Sequence, residues 1–375
     1  GRRFDPVPSH VMTDTHSSRE SVPLFTPLTL RGVTFSNRLW VSPMCQYSAP
    51  LDGVAREWHH VHIGSFATGG AGLIMMEATG VLPEGRISIN CLGLWNDEQR
   101  DALKPIVEFA HSMGTKIGIQ LAHAGRKGST MPPGSDHPFA SIEEGGWSAP
   151  APSDIPFGKM PTPHAMSVEE IKQTVAGFAS AAQRAVEAGF DVVEIHAAHG
   201  YLIHQFLSPL SNIRTDEYGG VFENRTRFLV QVVNAIRAVI PDSMPLFVRI
   251  SATDWVDGGW DLAQSIELAR VLKHIGVDLI DVSSGALSDK QQIPLGPGYQ
   301  VPFAAAIKGE AEIPTIAVGL IDEAEFADEI VASGKADAVM AARAFLRHPR
   351  WPFDVAYELG AEVEWPRQIS MGKKR

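Results

Sequence analysis

Short, uniformly apolar runs recur along the chain and predict strands that are buried on both faces. Leu73-Ile74-Met75-Met76 and Leu246-Phe247-Val248 are examples, and neither has the alternation of apolar and polar residues typical of a half-exposed strand. Between such runs, apolar residues recur at the helical period, as at Ile171, Val175 and Phe178. Strands and helices that alternate in this way indicate a parallel sheet covered by helices.

Eight strands with helices between them predict a (β/α)8 barrel, the TIM-barrel form of the α/β class. The predicted strands are 38–41, 72–79, 116–121, a stretch that starts at 192, 246–250, 279–282, 315–318 and 338–340. The predicted helices are 59–68, 97–113, 167–186, 222–240, 262–274, a stretch near 303–308, and 322–333. Ser167 and Glu170 have the spacing of a capping box, which marks the start of the third helix. A small N-terminal β-hairpin is expected at 28–35, before the first strand.

The barrel is expected to be a single domain, residues 23–360, with a flexible leader at 1–22 and a C-terminal tail at 361–375. After the third strand, residues 128–165 are rich in Pro, Gly and Ser and have no sustained period. A long insertion in a compact domain is usually functional, so we expect a lid. Three aromatic residues of this insertion predict that it packs rather than remaining disordered, namely Phe139, Trp147 and Phe157.

Composition restricts the class of function. The 375 residues are 44% hydrophobic and 20% charged, as in ordinary globular proteins. The net charge of −11 argues against nucleic acid as a partner, because phosphate binding needs a basic surface. We find no apolar run of membrane-spanning length and no apolar core of a secretory signal. Two cysteines, Cys45 and Cys91, are too few for an iron–sulfur or zinc module, and they suggest a reducing, cytoplasmic location.

In barrels of this type the active site lies at the C-terminal ends of the strands. The fourth strand ends in His196, His199 and Tyr201, three hydrogen-bonding side chains that are costly in a core and useful in a site. The first strand ends near Cys45 and Tyr47. The other strand ends contribute Ala78, Gln120, His123, Arg249, Gly319-Leu320 and Ala342-Arg343.

Several of these residues also have a structural interpretation. Cys45 could simply fill space in the core, and Arg249 could belong to a structural ion pair. The histidines of the fourth strand could instead bind zinc, which needs three or four ligands. The candidates for such a set are His196 and His199 with His123, Glu77 or Glu194. Nothing else in the chain has metal-ligand spacing, so we predict no metal site.

The last strands predict a phosphate site. Arg249 lies in Phe-Val-Arg-Ile, where the last inward position of a strand faces the pocket, and a buried guanidinium needs an anionic or strongly accepting partner. Gly319 and Ala342-Arg343 follow strands seven and eight, where barrels bind phosphate through backbone N–H groups. Together these residues suggest a phosphate-bearing cofactor with a polar substrate site above it.

Four motifs resemble the Old Yellow Enzyme family of ene-reductases. They are Ser42-Pro43-Met44-Cys45-Gln46-Tyr47, His123-Ala124-Gly125-Arg126-Lys127, His196-Ala197-Ala198-His199-Gly200-Tyr201-Leu202 with Phe206-Leu207-Ser208-Pro209, and Arg214-Thr215-Asp216-Glu217-Tyr218-Gly219-Gly220 with Glu223-Asn224-Arg225. The presence of both Cys45 and Tyr47 in the first motif resembles the thermophilic-like class of this family. The resemblance extends from about Leu24 to Trp365. It implies noncovalently bound FMN, NADPH as reductant, and reduction of the C=C bond of α,β-unsaturated carbonyl compounds such as enones, enals and quinones.

The resemblance implies a role for each catalytic candidate. His196 and His199 match the pair that binds the substrate carbonyl oxygen, where two N–H donors stabilise the developing enolate charge as in an oxyanion hole. Tyr201 matches the proton donor to the α-carbon, since a phenol remains protonated at neutral pH. Cys45 matches a thiol beside flavin N5, and Tyr47 matches a second hydroxyl that reaches the substrate oxygen.

The resemblance also implies the contacts of the cofactor. Gln120 and Arg249 match the residues at the pyrimidine edge of the isoalloxazine ring, where a cation stabilises the anionic reduced flavin. Further contacts are expected from Pro43, Met44, Cys45, Ala78 and His196 to the ring, and from Gly319, Ala342 and Arg343 to the phosphate.

Two segments depart from the family pattern. Ala342-Arg343 stands where the family usually has Gly-Arg, and we expect FMN binding to persist because backbone N–H donors survive this change. In the C-terminal tail, Ile369 and Met371 stand where the class tends to have a Tyr and an Arg that crosses into a neighbouring subunit. Arg367 could replace that arginine only with a shift of register, so the sequence leaves open a homodimer or higher homo-oligomer.

Three other functions compete with this interpretation. Related flavin barrels that reduce dienoyl thioesters or demethylate amines carry a cysteine cluster and extra domains, which the sequence does not show. A flavoprotein that binds phenols or quinones as a sensor or partner, without turnover, would not need an intact His196, His199 and Tyr201. A metal-dependent barrel hydrolase would leave Cys45 and Arg249 unexplained, and Tyr47 as well.

Overall fold

The computed structural model describes residues 21–374 and contains a closed barrel of eight parallel strands. In chain order, the strands are Leu39–Val41, Leu73–Gly80, Lys116–Ala122, Val192–Ala197, Leu246–Ser251, Leu279–Ser283, Thr315–Ala317 and Ala338–Ala341. The eighth strand pairs with the first, with Ala341 opposite Val41, which closes the barrel. The predicted fold class is therefore confirmed. Residues 1–20 of the predicted leader lie outside the described residues.

Helices cover the outside of the barrel, as the sequence predicts. The longer ones are Glu57–Ala67, Asp97–Ser112, Val168–Ala188, Phe222–Arg237, Leu262–His274, Val301–Ala311 and Ala324–Ala332. The predicted capping box is present, because Ser167 Oγ accepts the Glu170 N–H at 3.2 Å and Glu170 Oε2 accepts the Ser167 N–H at 2.7 Å. Within residues 21–374, no helix is long and apolar enough to cross a membrane.

Several shorter helices were not predicted from the sequence. They are the α-helices Leu202–Leu207, Arg343–Arg347 and Trp351–Leu359, and the 3₁₀ turns Pro23–Phe25, Pro83–Gly85, Gly125–Lys127 and Arg367–Gly372. None of them reaches three helical turns, so none repeats its apolar positions often enough to reveal a period.

Side chains of the strands alternate between the surrounding helices and the barrel interior. On the first strand, Leu39 and Val41 belong to the large cluster shared with the helices, whereas Trp40 belongs to a separate interior cluster. The Trp40 ring stacks on Phe247, with centroids 6.1 Å apart and planes 8° from parallel. These large rings fill the N-terminal end of the barrel.

The N-terminal hairpin closes this end of the barrel. Its strands, Leu28–Leu30 and Val33–Phe35, pair antiparallel, and Phe35 lies fully buried with its ring centroid 4.7 Å from that of Trp40. The turn between them docks on the chain that leads into the fifth and sixth strands. There Gly32 N–H donates to the Ser243 carbonyl at 2.9 Å, and Arg31 Nε lies 2.6 Å from Asp278 Oδ1.

The insertion at 128–165 packs at the opposite end, where the strands finish. A parallel pair of two-residue strands, Pro150–Ala151 and His164–Ala165, closes a loop in its second half. The Trp147 ring centroid lies 5.0 Å from Arg86 Cζ, and the Phe157 ring centroid lies 4.5 Å from Lys127 Nζ. Arg86 and Lys127 follow the second and third strands, so the insertion covers that part of the rim.

The C-terminal tail folds back onto the last helix. Trp365 stacks on Phe353 with ring centroids 4.1 Å apart, and Lys374 Nζ lies 2.8 Å from Asp354 Oδ1. Met371, which stands where the class tends to have its arginine, is 95% exposed. The oligomeric state stays a prediction.

Replacing Phe35 by Ala is expected to destabilise the protein by about 3–5 kcal/mol, because it removes a ring that fills the barrel end and leaves a cavity against Trp40. The measurement is urea unfolding followed by circular dichroism. Ile213→Ala is the control, since that side chain is 63% exposed and should change the free energy of unfolding by less than about 0.5 kcal/mol. Equal effects of the two variants would contradict the assignment of the hairpin to the core.

Candidate active site at the carboxyl ends of the strands

The turn after the fourth strand places His199 beside His196. His199 and Gly200 both adopt left-handed backbone conformations, with φ of 58° and 71°, so the chain turns sharply after Ala197. A Cβ atom at Gly200 would lie 2.3 Å from the Ala286 carbonyl oxygen, which only glycine avoids.

Polar contacts from three other strands hold this turn. The His199 N–H donates to Ser251 Oγ at 2.9 Å, at the end of the fifth strand. Lys127, which follows the third strand, donates to the carbonyl oxygens of His199 at 2.8 Å and Ala286 at 2.9 Å. A non-glycine residue in this conformation costs on the order of 1 kcal/mol, which these contacts offset.

The structure brings together the three side chains that the sequence singled out. The His196 ring centroid lies 5.2 Å from that of His199 and 4.9 Å from that of Tyr201, with both pairs nearly perpendicular. His196 Nδ1 accepts the Ala198 N–H at 3.3 Å, so neutral His196 carries its proton on Nε2. His199 Nε2 lies 2.7 Å from Ser283 Oγ. The protein thus engages one nitrogen of each ring and leaves the other for a ligand.

The environment of these groups keeps them uncharged at neutral pH. Burial, together with the positive charge of Arg249, holds the pKa of His196 and of His199 well below the usual range. Burial raises the pKa of Tyr201 well above its usual value. The site therefore offers two neutral imidazoles and a protonated phenol.

The segment after the first strand adds its candidates to the same place. Cys45, Tyr47 and Tyr201 all pack against one small apolar cluster that contains Ala78. The segment is attached to the second strand, because the Gln46 N–H donates to Glu77 Oε2 at 3.0 Å. Burial raises the pKa of Tyr47, so its hydroxyl also remains protonated.

A charged layer lies below the histidines, inside the barrel. Arg249 Nε lies 3.2 Å from Asp281 Oδ2, and Gln120 Nε2 donates to Glu194 Oε1 at 2.8 Å. These residues neighbour one another on strands three to six, and both carboxyl groups are completely buried. Burial, and the nearby negative charge of Asp281, raise the pKa of Glu194 to about 8. Glu194 is therefore protonated at neutral pH, and Arg249 and Asp281 form the ion pair of the layer.

A cavity of about 190 Å³ opens beside this layer, between the ends of the last strands and the first. Arg249 lines it and donates from Nη1 to Ser42 Oγ at 3.2 Å. Arg343 and Arg347 line it as well, and Arg347 pairs with Asp322 at 3.0 Å. The other lining residues include Ser283, Gln300, Gly319, Leu320, Ala341 and Ala342.

The backbone around the cavity suits a closely bound group. Gly319 has φ of 115°, and a Cβ atom there would lie 2.9 Å from Gln300 Nε2 and 3.1 Å from Tyr299 Cε1. Ala342 has φ of −107°, which any residue adopts. The alanine that stands where the family usually has glycine therefore introduces no backbone strain.

These residues fit the predicted phosphate-bearing cofactor. Three arginines and one carboxylate line the cavity and give it an excess of positive charge, which an anionic group such as a phosphate would balance. Ser283 lines the cavity and also contacts His199, so the cavity and the histidine site adjoin.

The structure does not bring together the zinc ligands that the sequence analysis considered as an alternative. Among residues 21–374, no three histidine, cysteine, aspartate or glutamate side chains are grouped so that they could hold a metal ion. The His123 ring instead accepts the Gly125 N–H on Nδ1 at 3.1 Å, within its own loop.

Four residues of the site were not assigned to it from the sequence. Glu194 and Asp281 had a signal, since a charged residue inside an apolar strand must be paired or neutral. Ser283 and Lys127 had none, because their partners lie on distant strands. The Ser283 contact with His199 joins residues 84 positions apart, and the Lys127 contacts span 72 and 159 positions.

Comparison with known proteins is consistent with this site. The model of the NADH:flavin oxidoreductase / NADH oxidase family matches residues 23–362. An NADPH dehydrogenase of Geobacillus thermodenitrificans is 49% identical over 351 residues, which cover 93% of this chain and 98% of the relative. A protein of Gibberella zeae described as NADH:flavin oxidoreductase is 47% identical over 374 residues, which cover 94% of this chain and 90% of the relative.

Two solved structures superimpose closely on this chain. Morphinone reductase superimposes with a TM-score of 0.75 at 30% identity, covering 92% of this chain and 91% of the other. An old yellow enzyme homologue of Zymomonas mobilis superimposes with a TM-score of 0.74 at 28% identity, covering 91% of this chain and 94% of the other.

The chain is thus a flavin-dependent oxidoreductase, and the family model implies FMN as the flavin. The chain belongs to the NADH:flavin oxidoreductase / NADH oxidase family, and within it to the Old Yellow Enzymes. The resemblance seen in the sequence motifs is therefore confirmed at the level of the family.

Replacing Glu194 by Gln tests the protonated carboxyl group in the charged layer. The pKa of Glu194 lies near 8 in the folded protein and at the ordinary 4.5 in the unfolded chain, so the unfolded chain loses this proton first as pH rises. The wild type should therefore lose stability relative to Glu194→Gln between about pH 5 and about pH 8, by on the order of a few kcal/mol. Urea unfolding of both proteins across this range measures the difference.

Glu362→Gln is the control for this experiment, since Glu362 is exposed and lies in the C-terminal tail. Its stability difference from the wild type should be nearly independent of pH. A difference between wild type and Glu194→Gln that stays constant across the range would show that Glu194 is ionised in the folded protein.

Proposed function

We propose that the protein is an NADPH-dependent ene-reductase that contains noncovalent FMN and reduces the C=C bond of enones, enals or quinones. The observation that carries the proposal is the cluster of neutral His196, neutral His199 and protonated Tyr201 beside an arginine-lined cavity. The names of the relatives support NADPH as the reductant.

The residues that would hold FMN come from seven of the eight strand ends. Arg343 and the backbone at Gly319 and Ala342 would bind the phosphate, and Arg249 and Gln120 would lie at the polar edge of the ring. Pro43, Met44, Cys45, Ala78 and His196 would supply the remaining contacts to the ring. When bound, FMN supplies the hydride that reaches the β-carbon of the substrate.

His196 and His199 bind the substrate carbonyl oxygen in this proposal. Negative charge develops on that oxygen as hydride reaches the β-carbon, and N–H donors fixed in advance stabilise it with little reorganisation. His196 is suited to this role, because the Ala198 N–H occupies Nδ1 and leaves Nε2–H for the ligand. For His199, the Ser283 hydroxyl contacts Nε2, so Nδ1 is the ring nitrogen that is left to face a ligand.

Tyr201 donates the proton to the α-carbon. The histidines are poor proton sources because they are neutral at working pH, since burial and the charge of Arg249 hold their pKa low. Tyr201 keeps its proton over the same range and lies against the His196 ring. Tyr47 would add a hydroxyl to the substrate oxygen, and Cys45 would line the site beside the flavin ring.

Replacing Arg343 by Ala is expected to weaken FMN binding about tenfold or more, because a charge-assisted hydrogen bond to phosphate contributes about 1.5–3 kcal/mol. Titration of the flavin-free protein with FMN, followed by quenching of flavin fluorescence, measures the dissociation constant. Arg350→Ala is the control, since Arg350 is an exposed arginine that does not line the cavity. Equal dissociation constants for the two variants would remove Arg343 from the phosphate site.

Replacing Tyr201 by Phe is expected to leave FMN binding and flavin reduction by NADPH unchanged. Oxidation of the reduced enzyme by cyclohexenone should slow by about 10²–10⁴-fold, the usual contribution of a positioned proton donor. Anaerobic stopped-flow absorbance of the flavin separates the two half-reactions. Tyr218→Phe is the control, because Tyr218 is also buried but donates to Gln231 Oε1 at 3.1 Å, outside the site.

Two outcomes would contradict the proposal. Unchanged oxidation of Tyr201→Phe by the enone would remove Tyr201 from the proton-donor role. A wild-type protein that binds FMN and phenols but is not reoxidised by any enone, enal or quinone would instead be a binding protein without turnover.

A further inference from the structure

The turn around Gly200 is held by side chains of the helix that follows it. This helix, Leu202–Leu207, begins directly after Tyr201. The Gly200 N–H donates to His204 Nδ1 at 2.9 Å, and the Gly200 carbonyl accepts from Gln205 Nε2 at 2.7 Å. Two consecutive side chains of one helical turn therefore fix the peptide groups on either side of Gly200.

The other nitrogen of His204 faces Asp254, which follows the fifth strand. His204 Nε2 lies 2.8 Å from Asp254 Oδ1, and both side chains are completely buried. Because Nδ1 accepts the Gly200 N–H, the proton of the neutral ring is on Nε2, where it is donated to Asp254. Asp254 thus favours the one tautomer of His204 that can accept a hydrogen bond from Gly200.

Asp254 is itself held in place by further donors. Its Oδ2 accepts the Ser208 hydroxyl at 2.6 Å and the Trp260 N–H at 2.7 Å. Burial alone would raise the pKa of Asp254, but His204 and these two hydrogen bonds hold the pKa below its usual value. Asp254 is therefore a carboxylate at neutral pH, and a continuous buried network leads from it through His204 to the Gly200 N–H.

A shift of this turn would move Tyr201. Gly200 is buried, so its N–H cannot turn to solvent, and a buried N–H without an acceptor is unfavourable. Loss of the His204 acceptor is therefore expected to displace the peptide group. Tyr201 is the next residue of the chain, and its ring centroid lies 4.9 Å from that of His196, so a rotated peptide group would redirect the phenol relative to the site.

His199, on the other side of the turn, depends less on this network. Its N–H donates to Ser251 Oγ at 2.9 Å, and its carbonyl accepts from Lys127 Nζ at 2.8 Å. Its ring nitrogen Nε2 lies 2.7 Å from Ser283 Oγ. Three side chains other than His204 thus fix His199, and the effect of His204 falls mainly on Tyr201.

We propose that His204, oriented by Asp254, is a positioning residue for reduction of the C=C bond, because its contact with the Gly200 N–H places the Tyr201 phenol for proton transfer to the α-carbon. The inference rests on the proposed function, and it adds to it two residues that do not touch the substrate, since both side chains are completely buried. Proton transfer needs a donor within hydrogen-bond reach, so a small displacement of the phenol slows it.

Two amide variants of His204 separate its two contacts. Asparagine carries Oδ1 at the position of histidine Nδ1, whereas glutamine carries Nε2 at the position of histidine Nε2. His204→Asn therefore keeps the acceptor for the Gly200 N–H and loses the contact with Asp254. His204→Gln keeps the donor to Asp254 and loses the acceptor for Gly200.

The measurement is anaerobic stopped-flow absorbance of the NADPH-reduced enzyme mixed with cyclohexenone at several concentrations. His204→Gln is expected to lower the limiting rate of flavin oxidation by about 10–10²-fold, the usual cost of a misplaced reacting group. The enone concentration that gives half of this rate should not change, because His196 and His199 bind the carbonyl oxygen. His204→Asn, the conservative variant for this contact, should stay within about threefold of the wild type.

Stability should follow the opposite order. His204→Asn leaves the buried Asp254 carboxylate without one of its donors, so it should unfold at lower urea concentration than His204→Gln. A purely structural role of His204 would make the slower variant the less stable one. If His204→Asn does not fold, as judged by circular dichroism, the double variant His204→Asn/Asp254→Asn takes its place, because it contains no unpaired buried charge.

A second comparison tests whether His204 acts through Tyr201. In the Tyr201→Phe background, His204→Gln should cause no further slowing, because the proton donor that His204 positions is already absent. His111→Gln is the control in both backgrounds and should not change the rate. His111 Nε2 also contacts an aspartate, Asp191 Oδ2 at 2.7 Å, but this pair lies before the fourth strand begins, at the opposite end of the barrel.

Three results would overturn the inference while leaving the proposed function intact. They are equal limiting rates of the wild type and His204→Gln, equal slowing of His204→Gln and His204→Asn, and further slowing by His204→Gln in the Tyr201→Phe background. A wild-type enzyme that cyclohexenone does not reoxidise would instead contradict the proposed function, and this inference with it. The wild type is measured in the same experiment, so the two failures are distinguished.

Discussion

The end of the barrel where the strands finish, which carries the candidate site, depends on the buried ion pair between Arg249 and Asp281. Their 3.2 Å contact lies inside a closed sheet, where water cannot solvate either charge. Removal of one partner from such a pair leaves an uncompensated charge and typically costs several kcal/mol. Burial is the main reason why Glu194 is protonated and why His196 and His199 are neutral, and the pair adds to it, because the Asp281 charge favours protonated Glu194 and the Arg249 charge favours the neutral histidines.

This arrangement explains how one strand end can offer hydrogen-bond donors without carrying charge. Two imidazoles and a phenol in water would titrate across the physiological range and above it. Here burial keeps all three groups uncharged, and the positive charge of Arg249 adds to this effect for the two histidines. Arg249 belongs to the fifth strand rather than to the strand that carries the histidines.

The parts of the structure that could be predicted from the sequence are those with a local signal. The eight strands are short apolar runs, and their order alone placed His196, Arg249 and Arg343 on one rim. The contacts that decide their chemistry are not local. Nothing near Ser283 in the sequence indicates that it contacts His199, because the two residues meet only when the strands that carry them assemble into the barrel.

Short helices escaped prediction for a different reason. Arg343–Arg347 is five residues long, so its apolar residues cannot reveal a period, and its formation depends on the strand before it.

The pairing of the first strand with the eighth has a consequence for synthesis of the chain. Trp40 is synthesised before Met340, its partner on the eighth strand, which follows 300 residues later. Until then, one edge of the unfinished sheet has no native partner. Such long-range pairing slows folding and exposes the nascent chain to wrong contacts, so we expect the N-terminal segment to be where a molecular chaperone would act.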